Sequence, residues 1–205
     1  MKRGRSDTHD QGFGYFVTTS LSRFVRLFDK DDYAQVILRN LDFYRVRSGF
    51  RLLAYVVMPT HIHLIIVPKL GCTVSDIMRD FKKYTAREIV RLLQERKQLD
   101  ILAEFREASQ QYHPKESRQY QVWEDRFDDV AIWSAEVLKT KVEYIHNNPV
   151  RAGLVESPVD YPYSSARDCL LGDHSVKSVD SEHYPVGSGR GPDTHICAGP
   201  EEVMK

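Results

Sequence analysis

His61-Ile62-His63 begins a run, HIHLIIV, of strand-forming residues. Side chains two apart on a strand share a face, so both imidazoles point one way and Ile62 points the other. Imidazole nitrogens bind divalent metal ions, and a pair at this spacing can chelate one. Two exposed strand histidines with no role have the same spelling, so the pattern alone is weak. A second group lies in VEYIHNNPVRAGL, Val142 to Leu154. Tyr144 and Asn148 are four apart, which puts them on one helix face. That sets a phenol beside an amide oxygen, a hard ligand suited to Mg²⁺ or Mn²⁺. The blander reading is a helix end, because a proline disfavours helix at the residue before it and Gly153 helps the chain turn.

These groups need elements to hold them. YFVTTS, Tyr15 to Ser20, reads as a strand. Asp29, Asp31 and Asp32 precede a helix with Tyr33, Val36, Ile37, Leu41 and Tyr44 at helical spacing, closed by Gly49. RLLAYVV, from Arg51, and HIHLIIV are strands joined by a turn at Met58-Pro59-Thr60. Thr73 to Lys97 predicts a long helix with an apolar stripe of Val74, Met78, Phe81, Ile89 and Leu92. Residues 98–119 are polar and Gln-rich and read as an excursion. A last strand is expected within Gln121 to Ile132. Ser134 is placed to cap a helix ending at Asn148. The fold class is therefore α+β: a ferredoxin-like βαββαβ antiparallel sheet with an additional C-terminal helix carrying Tyr144. Three stretches are expected: a flexible N-terminus at 1–12, a folded domain at 13–170, and a disordered tail at 171–205 rich in Gly, Ser, Asp, His and Pro.

Length and motif content exclude rival uses of the histidines. The chain has 205 residues, fewer than the roughly 250 of a barrel hydrolase and with too few strands for a cupin. It contains neither HExxH nor a Walker loop, and GSGRG in the tail follows no strand. No additional acidic ligand set supports a metal hydrolase of another substrate. The three cysteines, Cys72, Cys169 and Cys197, form no CxxC and fit a reducing cytoplasm. No apolar run approaches membrane-span length, and the charged start has no signal-peptide core.

The formal net charge is zero, from 29 basic and 29 acidic residues. It is unevenly spread. Residues 1–99 carry 18 basic and 10 acidic side chains, or +8, and the rest of the chain carries −8. A basic half suggests a polyanionic partner. Within the long helix Arg79, Lys83, Arg87 and Arg91 recur every four residues, with Lys82 nearby. Such a row can track phosphates, although most charged helix rows are simply solvated.

In this order, YVVMPTHIHLIIV, FKKYT, VWEDRF and YIHNNPVRAGLVESPVDYPYSS resemble the REP-associated tyrosine transposases, a group of single-tyrosine HUH enzymes. The resemblance covers about residues 13 to 168. It implies a ferredoxin-like domain that cuts and rejoins single-stranded DNA next to hairpin repeats. It also implies that His61 and His63 are the HUH pair, that Asn148 supplies a third ligand to Mg²⁺ or Mn²⁺, and that Tyr144 is the nucleophile forming a 5′-phosphotyrosine. Arg79, Lys82, Lys83, Arg87 and Arg91 become candidate DNA contacts. The partner expected is single-stranded DNA with REP-like hairpins. A monomer is expected, with a homodimer left open. A phenol in water titrates near pH 10, so Tyr144 needs activation, and no base is evident. Tyr84 is the rival nucleophile, but its place at the border of an apolar stripe suits packing or a DNA contact better. Tyr161 and Tyr163 are expected to pack rather than stack on bases. The alternative function is a hairpin DNA-binding protein that keeps the fold without catalysis. The excursion at 98–119 and the tail after 170 have no counterpart in the resemblance.

Overall fold

The structure, a computed structural model, describes residues 14–47, 49–112, 118–175 and 177–180. The expected flexible N-terminus, with Arg3 and Arg5, lies outside the described residues, as does the tail beyond 180 with GSGRG. Four strands form one antiparallel sheet: β1 (Gly14–Ser20), β2 (Phe50–Met58), β3 (His61–Pro68) and β4 (Asp128–Ile132). Their order is β2-β3-β1-β4. With α1 (Asp31–Arg47) between β1 and β2, and α2 (Val74–Glu95) between β3 and β4, this is the expected βαββαβ arrangement. Gly14 has φ +119° and lies against β3, where a Cβ would sit 2.6 Å from the Ile66 carbonyl oxygen, so only glycine starts this strand without strain.

Alternation along the strands divides the molecule into layers. Val17, Leu52, Tyr55, Val57, Ile62, Leu64 and Ile66 pack with α1 and α2. Phe16, Ala54, Val56 and Ile65 pack on the opposite face with Leu138, Val142 and Ile145 of α4 (Ala135–Arg151). The β2–β3 hairpin turns in two residues, and its register places Met58 opposite His61 and Val56 opposite His63. The histidines therefore face the α4 layer, at the end of the sheet where the hairpin turns.

Helix ends follow the expected chemistry, with two corrections. Thr73 caps α2 by accepting from Asp76 N–H, and Ser134 caps α4 by accepting from Val137 N–H. The helix expected to stop at Asn148 runs on to Arg151, with Pro149 inside it and buried. Pro149 sits in the last turn, where little helix remains for the missing N–H to disrupt. The chain then closes through Ala152 N–H to Asn148 O and Gly153 N–H to Val150 O, with Gly153 at φ +69°. The polar excursion is also corrected. It contains α3 (Leu99–Tyr112), whose Leu102, Phe105 and Ala108 are buried. Three-residue spacing supplies one narrow apolar stripe beneath a polar surface. In α2 the buried stripe includes Ile77, Thr85 and Leu93, while Leu92 is only partly covered.

Beyond α4 the chain returns along β2. Val57 N–H bonds to Tyr163 O, and Ser165 N–H bonds to Tyr55 O. The Tyr161 hydroxyl donates to Val57 O at 2.8 Å, and the Tyr163 hydroxyl meets Asp31 at 2.9 Å. Both tyrosines pack, as expected. The expected tail boundary at 170 falls short of the ordered contacts. After α5 (Ala166–Leu171), Asp180 N–H bonds to Leu52 O, and Lys177 pairs with Asp42 at 2.7 Å. The outer edge of β2 is thereby covered, which removes an exposed strand edge.

Candidate active site

Leu138, Val142, Ile145, His146 and Pro149 fix the rotation of α4, because these five residues are its buried face. That rotation puts Lys141, Tyr144, Asn148 and Arg151 together on the adjoining flank. Tyr144 is 37% exposed. Its ring meets the edge of His63 at 5.5 Å between centroids and Phe16 at 5.7 Å. Phe16 in turn stacks on His63 at 5.3 Å, with 22° between the rings. Phenol and imidazole from one chain thus share a site.

The two imidazoles converge. His61 Nε2 lies 3.1 Å from His63 Nε2. Each opposite nitrogen is engaged by a threonine: His63 Nδ1 with Thr18 Oγ1 at 2.8 Å, and His61 Nδ1 with Thr60 Oγ1 at 3.0 Å. Thr18 lies directly across from His63 in the β1–β3 register. Where Nδ1–H donates to the hydroxyl, Nε2 is left to present its lone pair. Burial first, then repulsion from His61 when it is protonated and from the Lys141 ammonium, holds His63 down at about 3, and burial lowers His61 as well. Both rings are thus neutral near pH 7, the form that ligates metal. Two Nε2 atoms converging at this separation fit a shared cation in place of the proton between them. Among the described residues no group of three or more His, Cys, Asp or Glu side chains could hold a metal. Among the described residues, the other donors to a metal here would be neutral oxygens. Asn148, half-buried one turn beyond Tyr144, is the side chain of that type on the α4 flank.

Two cations border the phenol. Lys141 Nζ lies 4.6 Å from the Phe16 centroid and 5.9 Å from that of Tyr144, and Arg151 Cζ lies 5.4 Å from the Tyr144 centroid. The sequence reading missed both, along with Thr18 and Phe16. The signal was present for the cations, at three residues before Tyr144 and seven after it.

A family model described as "Transposase IS200 like" matches residues 16–148. This chain belongs to that transposase family. A Haemophilus influenzae protein named for the REP-associated tyrosine transposases is 28% identical over 148 residues, covering 72% of this chain and 71% of the relative. A solved structure of a REP-associated tyrosine transposase bound to a REP hairpin superposes with a TM-score of 0.58 at 22% identity, covering 80% of this chain and 82% of that one. At that identity the match speaks for the fold. No helix among the described residues is long and apolar enough to cross a membrane.

The other expected transposase residues are dispersed. Tyr84 packs against Tyr44 of α1, with centroids 5.4 Å apart, in the helical layer on the far side of the sheet from the histidines. Glu88, four residues beyond Tyr84, is bound by Arg39 at 3.0 Å and Asn40 at 2.8 Å. Of the basic row, Arg79 pairs with Asp76 and Asp80, and Arg91 pairs with Glu95. Lys82, expected on the DNA face, is turned inward. Its Nζ donates to the Glu124 and Asp125 carbonyls, and burial lowers its pKa to about 8. Trp123 Nε1 donates to Thr85 Oγ1 at 3.0 Å. The FKKYT and VWEDRF motifs therefore clasp each other.

Proposed function

We propose that this protein nicks and rejoins single-stranded DNA beside hairpin repeats, through a 5′-phosphotyrosine on Tyr144. The observation that carries the reading is the contact of the Tyr144 and His63 rings within one chain, with the His61 and His63 Nε2 atoms converging beside it. A hairpin as partner is supported by the REP hairpin bound to the structural relative.

In this reading His61, His63 and Asn148 hold Mg²⁺ or Mn²⁺. A divalent ion there supplies a Lewis acid for a phosphate oxygen. With Nδ1–H donating to Thr18 and Thr60, each imidazole would offer its Nε2 lone pair to the ion. Tyr144 Oη forms the new bond to phosphorus, and the bond from phosphorus to the 3′-oxygen breaks. The phenol gives up its proton to solvent, and the departing 3′-oxygen takes one. Lys141 and Arg151 supply fixed positive charge where the phenolate and the phosphate meet. One phosphodiester is exchanged for another, so rejoining needs no ATP.

Incubation with a hairpin-bearing oligonucleotide and Mn²⁺ is expected to give a covalent adduct on a denaturing gel, with none from Tyr144→Phe. An adduct from Tyr144→Phe equal to wild type would remove Tyr144 from its role. Tight hairpin binding with no adduct from wild type, under any divalent ion and across several hairpin sequences, would leave a DNA-binding protein without catalysis.

A further inference from the structure

Sorting the basic row by partner leaves Lys83 and Arg87 apart from the rest. No salt bridge joins either to a carboxylate among the described residues. Both instead lie over the Tyr84 ring, Lys83 Nζ at 5.8 Å and Arg87 Cζ at 5.7 Å from its centroid. Tyr84 is 42% exposed and the neighbouring Phe43 of α1 is 56% exposed. Arg47 Cζ sits 5.9 Å from the Phe43 centroid. Tyr44 lies between them, edge-on to Phe43 and tilted against Tyr84. Phe43, Tyr44, Tyr84 and Arg87, with Asn40, Glu88 and Arg91, line a shallow cleft of about 390 Å³ between α1 and α2, and Lys83 and Arg47 adjoin it through the Tyr84 and Phe43 rings.

The hydrophobic core does not need this arrangement. An exposed aromatic pair leaves apolar rings in water, and cations without acidic partners leave charge unneutralised. Planar faces interleaved with cations match one class of ligand, unpaired nucleotides, whose bases stack and whose phosphates pair with charge. The acid that lines the cleft, Glu88, is paired with Arg39 and accepts a hydrogen bond from Asn40, which offsets its charge toward a phosphate.

We propose that the α1–α2 cleft binds an unpaired nucleotide of single-stranded DNA, its base on Tyr84 and Phe43 and its phosphates on Lys83 and Arg87. The proposal rests on the reading that single-stranded DNA is the partner. It adds a second contact on the sheet face opposite His61, His63 and Tyr144. A strand held there leaves the catalytic face free for the scissile phosphate.

The test is binding of a short fluorescein-labelled oligothymidylate, followed by anisotropy in EDTA so that no cleavage intervenes. Tyr84→Ala is expected to bind roughly 5- to 150-fold more weakly than wild type, with no change on an abasic oligomer of equal charge. Lys83→Gln and Arg87→Gln are each expected to flatten the log–log salt dependence by about 0.7. Arg79→Gln, whose guanidinium is already paired, is expected to leave the slope alone. In the wild-type protein, 5-iodouracil in the same oligomer should cross-link to Tyr84 or Phe43, a readout that needs no variant to fold. Unchanged affinity in Tyr84→Ala, equal loss on the abasic oligomer, or cross-links only outside the cleft would each overturn the proposal. Tyr84-dependent binding without any Tyr144 adduct would instead sink the nicking reading and leave the cleft. An adduct without Tyr84-dependent binding would do the reverse.

Discussion

Thr18 Oγ1 lies 2.8 Å from His63 Nδ1, across the β1–β3 ladder and on the face of the sheet that carries Tyr144. A hydroxyl that accepts from Nδ1–H would leave Nε2 to bind a cation. Thr18→Val keeps the shape and removes the oxygen. Mn²⁺ affinity is expected to fall about 10- to 100-fold while the melting temperature changes little, read by calorimetric titration and thermal unfolding. Unchanged affinity would mean that the tautomer is set by another group.

Lys141 places a positive charge between Phe16 and Tyr144. If that charge meets the phosphate as the phenol attacks, Lys141→Met should slow adduct formation by about 100-fold. Oligonucleotide affinity should shift far less. A rate within twofold of wild type would reduce Lys141 to a packing residue.

His146 is buried and meets Ser165 Oγ at 2.9 Å, while Ser165 Oγ accepts from Tyr55 N–H. Burial holds His146 down at about 4, against about 6.5 in an unfolded chain. Between those values the unfolded state takes a proton that the folded state refuses. Stability is therefore full above about pH 6.5 and is lost as pH falls toward 4, by about 3 kcal/mol in total. His146→Gln removes this term. Its stability deficit at pH 7, measured by urea unfolding, should narrow by about 2 kcal/mol at pH 5. A deficit that is constant with pH would contradict the assignment.

Lys82 tests whether the basic helix row acts as a unit. With its ammonium on the Glu124 and Asp125 carbonyls, Lys82→Ala strands two acceptors. It should cost about 1–3 kcal/mol and lower the melting temperature by several degrees. The salt dependence of DNA binding should not move. A flatter salt dependence with unchanged stability would return Lys82 to the DNA surface.

What the sequence disclosed follows from where the information is local. Alternation in HIHLIIV put both imidazoles on one face, and four-residue spacing put Asn148 beside Tyr144. Both are properties of a single element. Thr18 could not be found that way, because its role depends on register between two strands. Lys82 looked like part of a solvent row, because its depth is set by the path of residues 121–125, far along the chain. The helix at Leu99–Tyr112 was hidden because only Leu102, Phe105 and Ala108 signal it beneath a Gln-rich surface. Pro149 was read as a stop because its bias against helix is real, but a buried ring in the last turn satisfies the core and forfeits little hydrogen bonding.

Mapping the covalent adduct decides most. Trypsin cuts after Lys141 and Arg151, so Tyr144 falls alone among tyrosines in the peptide VEYIHNNPVR. After reaction with a hairpin oligonucleotide and Mn²⁺, nuclease trimming and mass spectrometry should place a nucleotide on that peptide. A nucleotide on the peptide beginning at Tyr84, with 142–151 unmodified, would contradict the account.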